Sequence, residues 1–153
     1  DPVTGICNWR SFALMTDESL RKAKKKKKTF CVLIIDLDNF KPINDNFGHS
    51  EGNEVLCNFA DMLEDLSSSK SVVARLGGDE FGVLLPESTY KEAEEFLHKL
   101  RAGITSYNLN SQKKYNIDFS AGIIEYDEKI HTERSAIMQD ADERMYEIKK
   151  GKR

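Results

Sequence analysis

The chain has 153 residues, 39% of them apolar or aromatic and 32% charged, and its 23 basic and 26 acidic side chains leave a formal charge of −3. That length suits one domain with a real core. The charge balance gives no domain-wide positive field for nucleic acid, and no apolar run approaches the ~20 residues that cross a bilayer, so neither nucleic acid nor a membrane is expected as a partner of this domain. Cys7, Cys31 and Cys57 are odd in number and widely spaced, without a C-x-x-C pair or a histidine at finger spacing. Neither a disulfide framework nor a zinc site is signalled, and a reducing, cytoplasmic setting is expected. Residues 1–153 read as a single domain, and the opening Asp1-Pro2-Val3-Thr4-Gly5, without Met, suggests a piece of a longer parent.

Asn8 is a good N-cap, and Phe12, Met15 and Leu20 recur behind it at near-helical spacing, which predicts a helix to about Lys24. Five lysines, Lys24 to Lys28, close it; a lysine run there suits the helix dipole and stays solvated. Phe30 to Ile35 is short, β-branched and continuously apolar, as in a strand buried on both faces, and it runs into Asp36-Leu37-Asp38. A loop is expected through Pro42 and Gly48. Val55, Leu56, Phe59, Met62, Leu63 and Leu66 then follow helical spacing up to Ser67-Ser68-Ser69. Ser71–Leu76 and Phe81–Leu85 read as antiparallel strands joined across Gly77-Gly78-Asp79-Glu80. A helix from about Ser88 to Thr105, a strand from Tyr115 to Tyr126 and a last helix holding Ala136, Ile137, Ala141, Met145 and Ile148 complete the chain. This order predicts an α+β fold, with a mostly antiparallel central sheet covered by helices.

The chemistry concentrates where carboxylates meet strand ends. Asp36 follows a buried strand, so its charge must stay solvated or meet a cation. A tight hairpin tip presents Asp79 and Glu80 side by side, and Gly77-Gly78 leave the backbone open to a ligand. If hairpin and strand are neighbours, several hard oxygens converge in a way that suits Mg²⁺ or Mn²⁺, with substrate phosphates filling the remaining positions. Phosphoryl or nucleotidyl transfer is the chemistry such a site supports. Each piece also has a plain reading, since an aspartate can cap a turn and Gly-Gly-Asp can simply make one.

Gly77-Gly78-Asp79-Glu80-Phe81 resembles the signature of the GGDEF, or diguanylate cyclase, family, whose members join two GTP molecules into cyclic di-GMP. The likeness extends along the chain. Asp1-Pro2-Val3-Thr4-Gly5-Ile6 with Asn8 and Arg10 is similar to the family's opening. Asp36-Leu37-Asp38-Asn39-Phe40-Lys41, with Ile43-Asn44-Asp45 and Phe47-Gly48-His49, is similar to its central motif, and Asp142 to Lys149 to its closing one. The resemblance implies a palm or ferredoxin-like fold, as in class III nucleotide cyclases. It also implies two metal ions, Mg²⁺ or Mn²⁺, held by Asp36, the Leu37 carbonyl and Asp79. Asp79 or Glu80 would accept the proton of the attacking hydroxyl, and Lys41 would stabilise charge at the transferring phosphorus. Asn44, His49 and Asn53 would contact the nucleoside; Lys149 and Arg153, with Lys152 as a possible substitute, would hold the triphosphate. The implied reaction is attack of a ribose 3′-OH on an α-phosphorus with release of pyrophosphate, across a homodimer whose two copies each present one GTP. An N-terminal sensory domain in the parent, and a further edge strand after the Arg153 region, are implied as well. Three positions depart from the pattern. Asn53 stands where the family usually has Asp, Trp9 where it has Arg, and Ser68-Ser69-Lys70-Ser71 where many members carry the R-x-x-D of an inhibitory product site. An amide at position 53 offers one acceptor and two donors instead of two acceptors. Two alternatives therefore stand beside the cyclase: a non-catalytic GTP-binding regulatory module, and a cyclase of relaxed base specificity that makes an adenine-containing cyclic dinucleotide.

Overall fold

A computed structural model describes residues 1–152, so the expectation for Arg153 lies outside the described residues. Helix α1 (Trp9–Lys26) is followed by β1 (Phe30–Asp38), α2 (Phe40–Phe47), α3 (His49–Leu66), β2 (Val72–Gly77), β3 (Glu80–Pro86), α4 (Tyr90–Asn110), β4 (Asp118–Glu125) and α5 (Arg134–Gly151). The sheet order is β2-β3-β1-β4 with every pairing antiparallel, the expected α+β architecture. Because side chains alternate across a strand, Leu33, Ile35 and Leu37 enter a core with α3 and α4, built around Phe59, Phe81 and Phe119. Val32 and Ile34 face the opposite core, under α1 and α5, with Phe12, Ile137, Ala141 and Met145. The same alternation puts Asp36 and Asp38 on the α1/α5 face, just past the last apolar residue of that face. Burying a side chain of this kind contributes about 1.5–3 kcal/mol; the run from Phe30 to Ile35 is buried throughout, which makes β1 the structural spine.

Three boundaries differ from the sequence expectation. The loop predicted through Pro42 is the helix α2. Its first-turn N–H groups have no intrahelical acceptor, so a proline at the third helical position loses nothing. Asn39, in the left-handed region at φ 56, turns the chain out of β1 into it. Helix α4 continues to Asn110, and its N-terminus is set by a full capping box between Thr89 and Glu92. Strand β4 begins at Asp118 and not at Tyr115, because its partner ends there: Asp38 pairs with Asp118, and β1 has nothing beyond to bond residues 115–117.

Close backbone approach fixes the position of α5. A Cβ on Gly122 would lie 2.2 Å from the Ala141 carbonyl and 2.4 Å from the Met145 nitrogen, so the helix rests directly on β4 at that glycine. This seat brings the last turn of α5 over the end of β1.

Candidate active site

The hairpin tip and the end of β1 meet through backbone bonds. Asp36 pairs with Glu80 in the β1/β3 register, and the Leu37 N–H donates to the Asp79 carbonyl at 3.1 Å. The carbonyl of Leu37 points to that same edge, since N–H and C=O of one strand residue face one neighbour. Gly78, at φ 49, takes the left-handed turn for which a residue without Cβ is suited. Arg75 holds the tip from behind: its Nε donates to the Gly78 carbonyl at 2.8 Å, and its guanidinium meets Asp1 at 3.4 Å. Asp1 in turn accepts from the Thr4 N–H and hydroxyl, so the opening Asp-Pro-Val-Thr segment braces the hairpin.

Three acidic side chains gather here in unequal settings. Asp79 is pushed up to about 6, first by burial and then by the adjacent charge of Asp36; Lys149 pulls it back. Glu80 is pushed up to about 7 by burial, then by Asp142, Asp36 and Asp79. Asp36 is held at one oxygen by Lys149 at 2.5 Å, while its Oδ1 is buried with no hydrogen-bond partner. An orphaned carboxylate oxygen beside a second carboxylate that resists ionising is a place where a cation lowers the energy. Among the described residues no three His, Cys, Asp or Glu side chains form a ready-made metal cage. The donor set is two carboxylates and the Leu37 carbonyl. These are hard oxygens, few in number, and suit a Mg²⁺-type ion that keeps room for phosphate and water.

A cleft of about 580 Å³ beside this pair is lined by Leu37, Lys41, Asp79, Asp118, Lys149 and Lys152, among others. It unites four of the sequence-predicted residues, Leu37, Lys41, Asp79 and Lys149. Glu80 lies apart from it and lines an adjoining cavity with Trp9, Gln139 and Asp142. Asn44, His49 and Asn53 stand outside the cleft on α2 and the first two turns of α3, with His49 and Asn53 exposed. A larger cavity, about 900 Å³ over β4 between α4 and α5, contains none of the predicted residues.

A family description, diguanylate cyclase, GGDEF domain, matches residues 1–153. The chain belongs to the GGDEF family. Over 154 aligned positions this GGDEF domain is 31% identical to the probable diguanylate cyclase DgcE of Escherichia coli K12, an alignment covering all of this chain and 14% of that protein. It superposes on the GGDEF domain of TpbB (YfiN) from Pseudomonas aeruginosa with a TM-score of 0.90 at 33% identity, covering 99% of this chain and 88% of that one. With the GGDEF domain of DgcB from Caulobacter crescentus, determined in complex with c-di-GMP, the TM-score is 0.92 at 26% identity, over 100% and 88% of the two chains. These neighbours bear out the palm or ferredoxin-like expectation. The chain spans less than half the length of the curated relatives it matches, 42% of a membrane protein of Staphylococcus epidermidis and 14% of DgcE. In the described residues no helix is long and apolar enough to cross a membrane.

Sequence reasoning passed over one group in this GGDEF domain. Asp38 is nearly buried, accepts from the Ser120 hydroxyl at 2.9 Å, and pairs with Lys152 at 2.7 Å; Lys152 also donates to the Phe119 carbonyl at 2.6 Å. Lys152 therefore ties the end of α5 to the sheet in this structure, which separates its part from that of Lys149. The only sequence signal for the tie was the alternation that put Asp38 on the same face as Asp36.

Proposed function

We propose that this GGDEF domain is a diguanylate cyclase domain that condenses two GTP molecules into one cyclic di-GMP and two pyrophosphates. The observation that carries the reading is the Asp36/Asp79 pair at the hairpin tip, with its orphaned Asp36 oxygen and the cationic Lys41 and Lys149 lining the same cleft.

In this reading Asp36, Asp79 and the Leu37 carbonyl hold divalent ions, Mg²⁺ or Mn²⁺, two per site. When bound, the metal supplies Lewis-acid polarisation of the phosphate and of the attacking hydroxyl. Lys41 and Lys149, with Arg153, hold the triphosphate and offset the charge that builds on the α-phosphorus. Asp79 lines the cleft and accepts the 3′-OH proton; Glu80, raised to about 7, lies behind it beside Asp142 in the adjoining cavity. Asn44, His49 and Asn53 contact the base and ribose. Each 3′-oxygen forms a bond to the α-phosphorus of the other nucleotide, the α–β phosphoanhydride oxygen leaves as pyrophosphate, and the step repeats in the opposite sense. One set of binding residues per chain means that two copies present their GTP molecules face to face. A sensory domain ahead of Asp1 in the parent would set that encounter.

Asn53 favours a second reading: its exposed amide, in place of a carboxylate, relaxes the choice of base, giving an adenine-containing product or binding without turnover. Ser68 and Ser71, which close a turn on one another at 3.1 Å, supply neither charge of the inhibitory pair, so feedback by product at this turn is not expected. One experiment separates these readings. The domain, fused to a dimerising segment, is incubated with Mg²⁺ and GTP, ATP or both, and the products are resolved by chromatography. Cyclic di-GMP from GTP, lost in Asp36→Asn and Asp79→Asn, is the expected result. Nucleotide binding without product, or an adenine-containing product, overturns it.

A further inference from the structure

The residues that contact the nucleoside in this reading lie on two helices joined by a single residue. Gly48 ends α2 and begins α3, at φ 92, so its torsions set the angle between Asn44 on one side and His49 and Asn53 on the other. The joint is held from inside by the Gly48 N–H to the Asn44 carbonyl at 2.8 Å and the Gly52 N–H to the Gly48 carbonyl at 3.1 Å. Neither bond fixes how the pair of helices sits on the rest of the domain.

The core seats α3 through Val55, Leu56 and Phe59 and α2 through Ile43; on the outer side of the joint the two helices are bridged by a loop more than sixty residues away in the chain. Between α4 and β4, Asn108 closes the loop with two reciprocal bonds to Ile117, donating to its carbonyl and accepting from its N–H, each at 2.8 Å. Ile117 is buried, so the loop is anchored and not a loose connection. From it Tyr115 reaches both sides of the Gly48 joint. Its ring packs tilted against Phe47, the last residue of α2, with centroids 5.1 Å apart. Its hydroxyl donates to Glu51 in the first turn of α3 at 2.7 Å. Lys113 meets the same Glu51 oxygen at 2.7 Å and Glu54, one turn on, at 3.3 Å. Glu51 is two residues from Asn53, about 200° around the helix, so the clamp grips the back of the turn whose front carries the base contacts.

We propose that Tyr115, with Lys113 and Glu51, is a positioning clamp for the nucleoside-contacting turn: it touches no nucleotide and acts by fixing the α2–α3 angle on which base recognition depends. This rests on the cyclase reading for the identity of the base, but not for the existence of the clamp. Ordering a loose joint at the moment of binding would weaken the base contacts; the clamp has already ordered it. The triphosphate subsite takes Lys149 from α5, and its one residue on α2, Lys41, stands at the opposite end of that helix from Phe47, so triphosphate binding leans on the clamp less than base binding does.

The test uses Tyr115→Phe, which removes only the hydroxyl, and Tyr115→Ala, which removes the ring as well. Binding of a non-hydrolysable GTP analogue and of inorganic triphosphate, each with Mg²⁺, is measured by calorimetry, and amide exchange is followed in the nucleotide-free domain. Loss of one hydrogen bond of this kind corresponds to a Kd raised about 3–10-fold. For the GTP analogue that rise is expected in Tyr115→Phe and a larger one in Tyr115→Ala, with a clearly smaller rise for triphosphate. Amide exchange at Gly48 and Gly52, whose N–H groups hold the joint, should quicken while that of β1 stays slow. An unchanged Kd for the GTP analogue, or an equal loss for both ligands, overturns the proposal. If the unmodified domain binds triphosphate but no guanine nucleotide, the cyclase reading is at fault, and the exchange rates alone decide the clamp: unaltered exchange in Tyr115→Ala overturns it.

Discussion

Replacing Asp79 by Asn should make the metal-free domain more stable while abolishing its activity. The native state holds the Asp79 carboxyl at about 6 against an ordinary 3.8, with burial and the Asp36 charge as the causes. At about 1.36 kcal/mol per pKa unit, that gap sets a ceiling of about 3 kcal/mol for the cost of the ionised form in the fold. Asp79 is half-exposed, so solvent screening reduces this to roughly 1–1.5 kcal/mol. A folded-state pKa raised above the unfolded one means that the stability associated with the protonated form is complete below about 3.8 and is lost as pH rises through about 6. Asn carries no charge at any pH, so its advantage grows over that same window and is flat above it. Thermal unfolding in EDTA at pH 8 should show Asp79→Asn melting about 2–6 °C above the unmodified domain, at about 2–4 °C per kcal/mol for a chain of this size. At pH 4 the two should coincide. Mn²⁺ at pH 8 should stabilise the unmodified domain and leave the variant unmoved. A variant no more stable at pH 8, or more stable by the same amount at both pH values, would refute the account of two repelling carboxylates held together for a cation.

Three further substitutions probe separate parts of the site. In Gly52→Ala the new Cβ would lie 1.7 Å from Asn44 Oδ1, so Asn44 must swing away; the gain in helix propensity of about 1 kcal/mol offsets the crowding, and the expected signature is a GTP KM about tenfold higher with a melting temperature shifted by only a few degrees. Lys149→Met removes the ammonium that pairs with Asp36 at 2.5 Å and leaves a half-buried carboxylate unmatched; urea unfolding at pH 8 should show a loss of about 1–3 kcal/mol, and a loss that persists undiminished at saturating Mg²⁺ would argue against a shared cation position. Asn53→Asp should raise the ratio of kcat/KM for GTP over ATP, because two acceptor oxygens then meet the two guanine donors; an unmoved ratio would mark Asn53 as neutral.

What could be read from the chain before folding, and what could not, divides by the range of the interaction. Asp36 was legible because the apolar run from Phe30 to Ile35 defines a strand by itself, and the polar residue that ends it must sit at the sheet's rim. The Gly-Gly-Asp-Glu turn was legible for the same local reason. The α2 helix was hidden by Pro42, which deters helix in the interior but is harmless in the first turn, a distinction that depends on knowing where the helix starts. Tyr115 looked like a strand residue because Tyr115, Ile117 and Phe119 keep the period-two alternation in phase; only the end of β1 at Asp38, a property of the partner strand, releases Tyr115 to brace α2 and α3. The contact of Lys149 with Asp36 spans 113 positions, and the resemblance supplied Lys149 as a phosphate ligand without indicating its metal-free partner.

That contact shows how a site of repelling charges persists in a domain whose net stability is small. Helix α5 is seated by its backbone against Gly122 and by Ile137, Ala141 and Met145 in the core, none of which takes part in the chemistry. At its end, Lys152 is committed to Asp38 and the Phe119 carbonyl, and this tie holds the last turn in register. Lys149, one turn earlier, is thereby left over Asp36, where its charge offsets part of the Asp36/Asp79 repulsion. The two lysines thus divide the work: Lys152 secures the helix to the sheet, so that Lys149 is placed to offset the charge of Asp36 and, in the proposed cyclase, would meet a phosphate from the same anchored position.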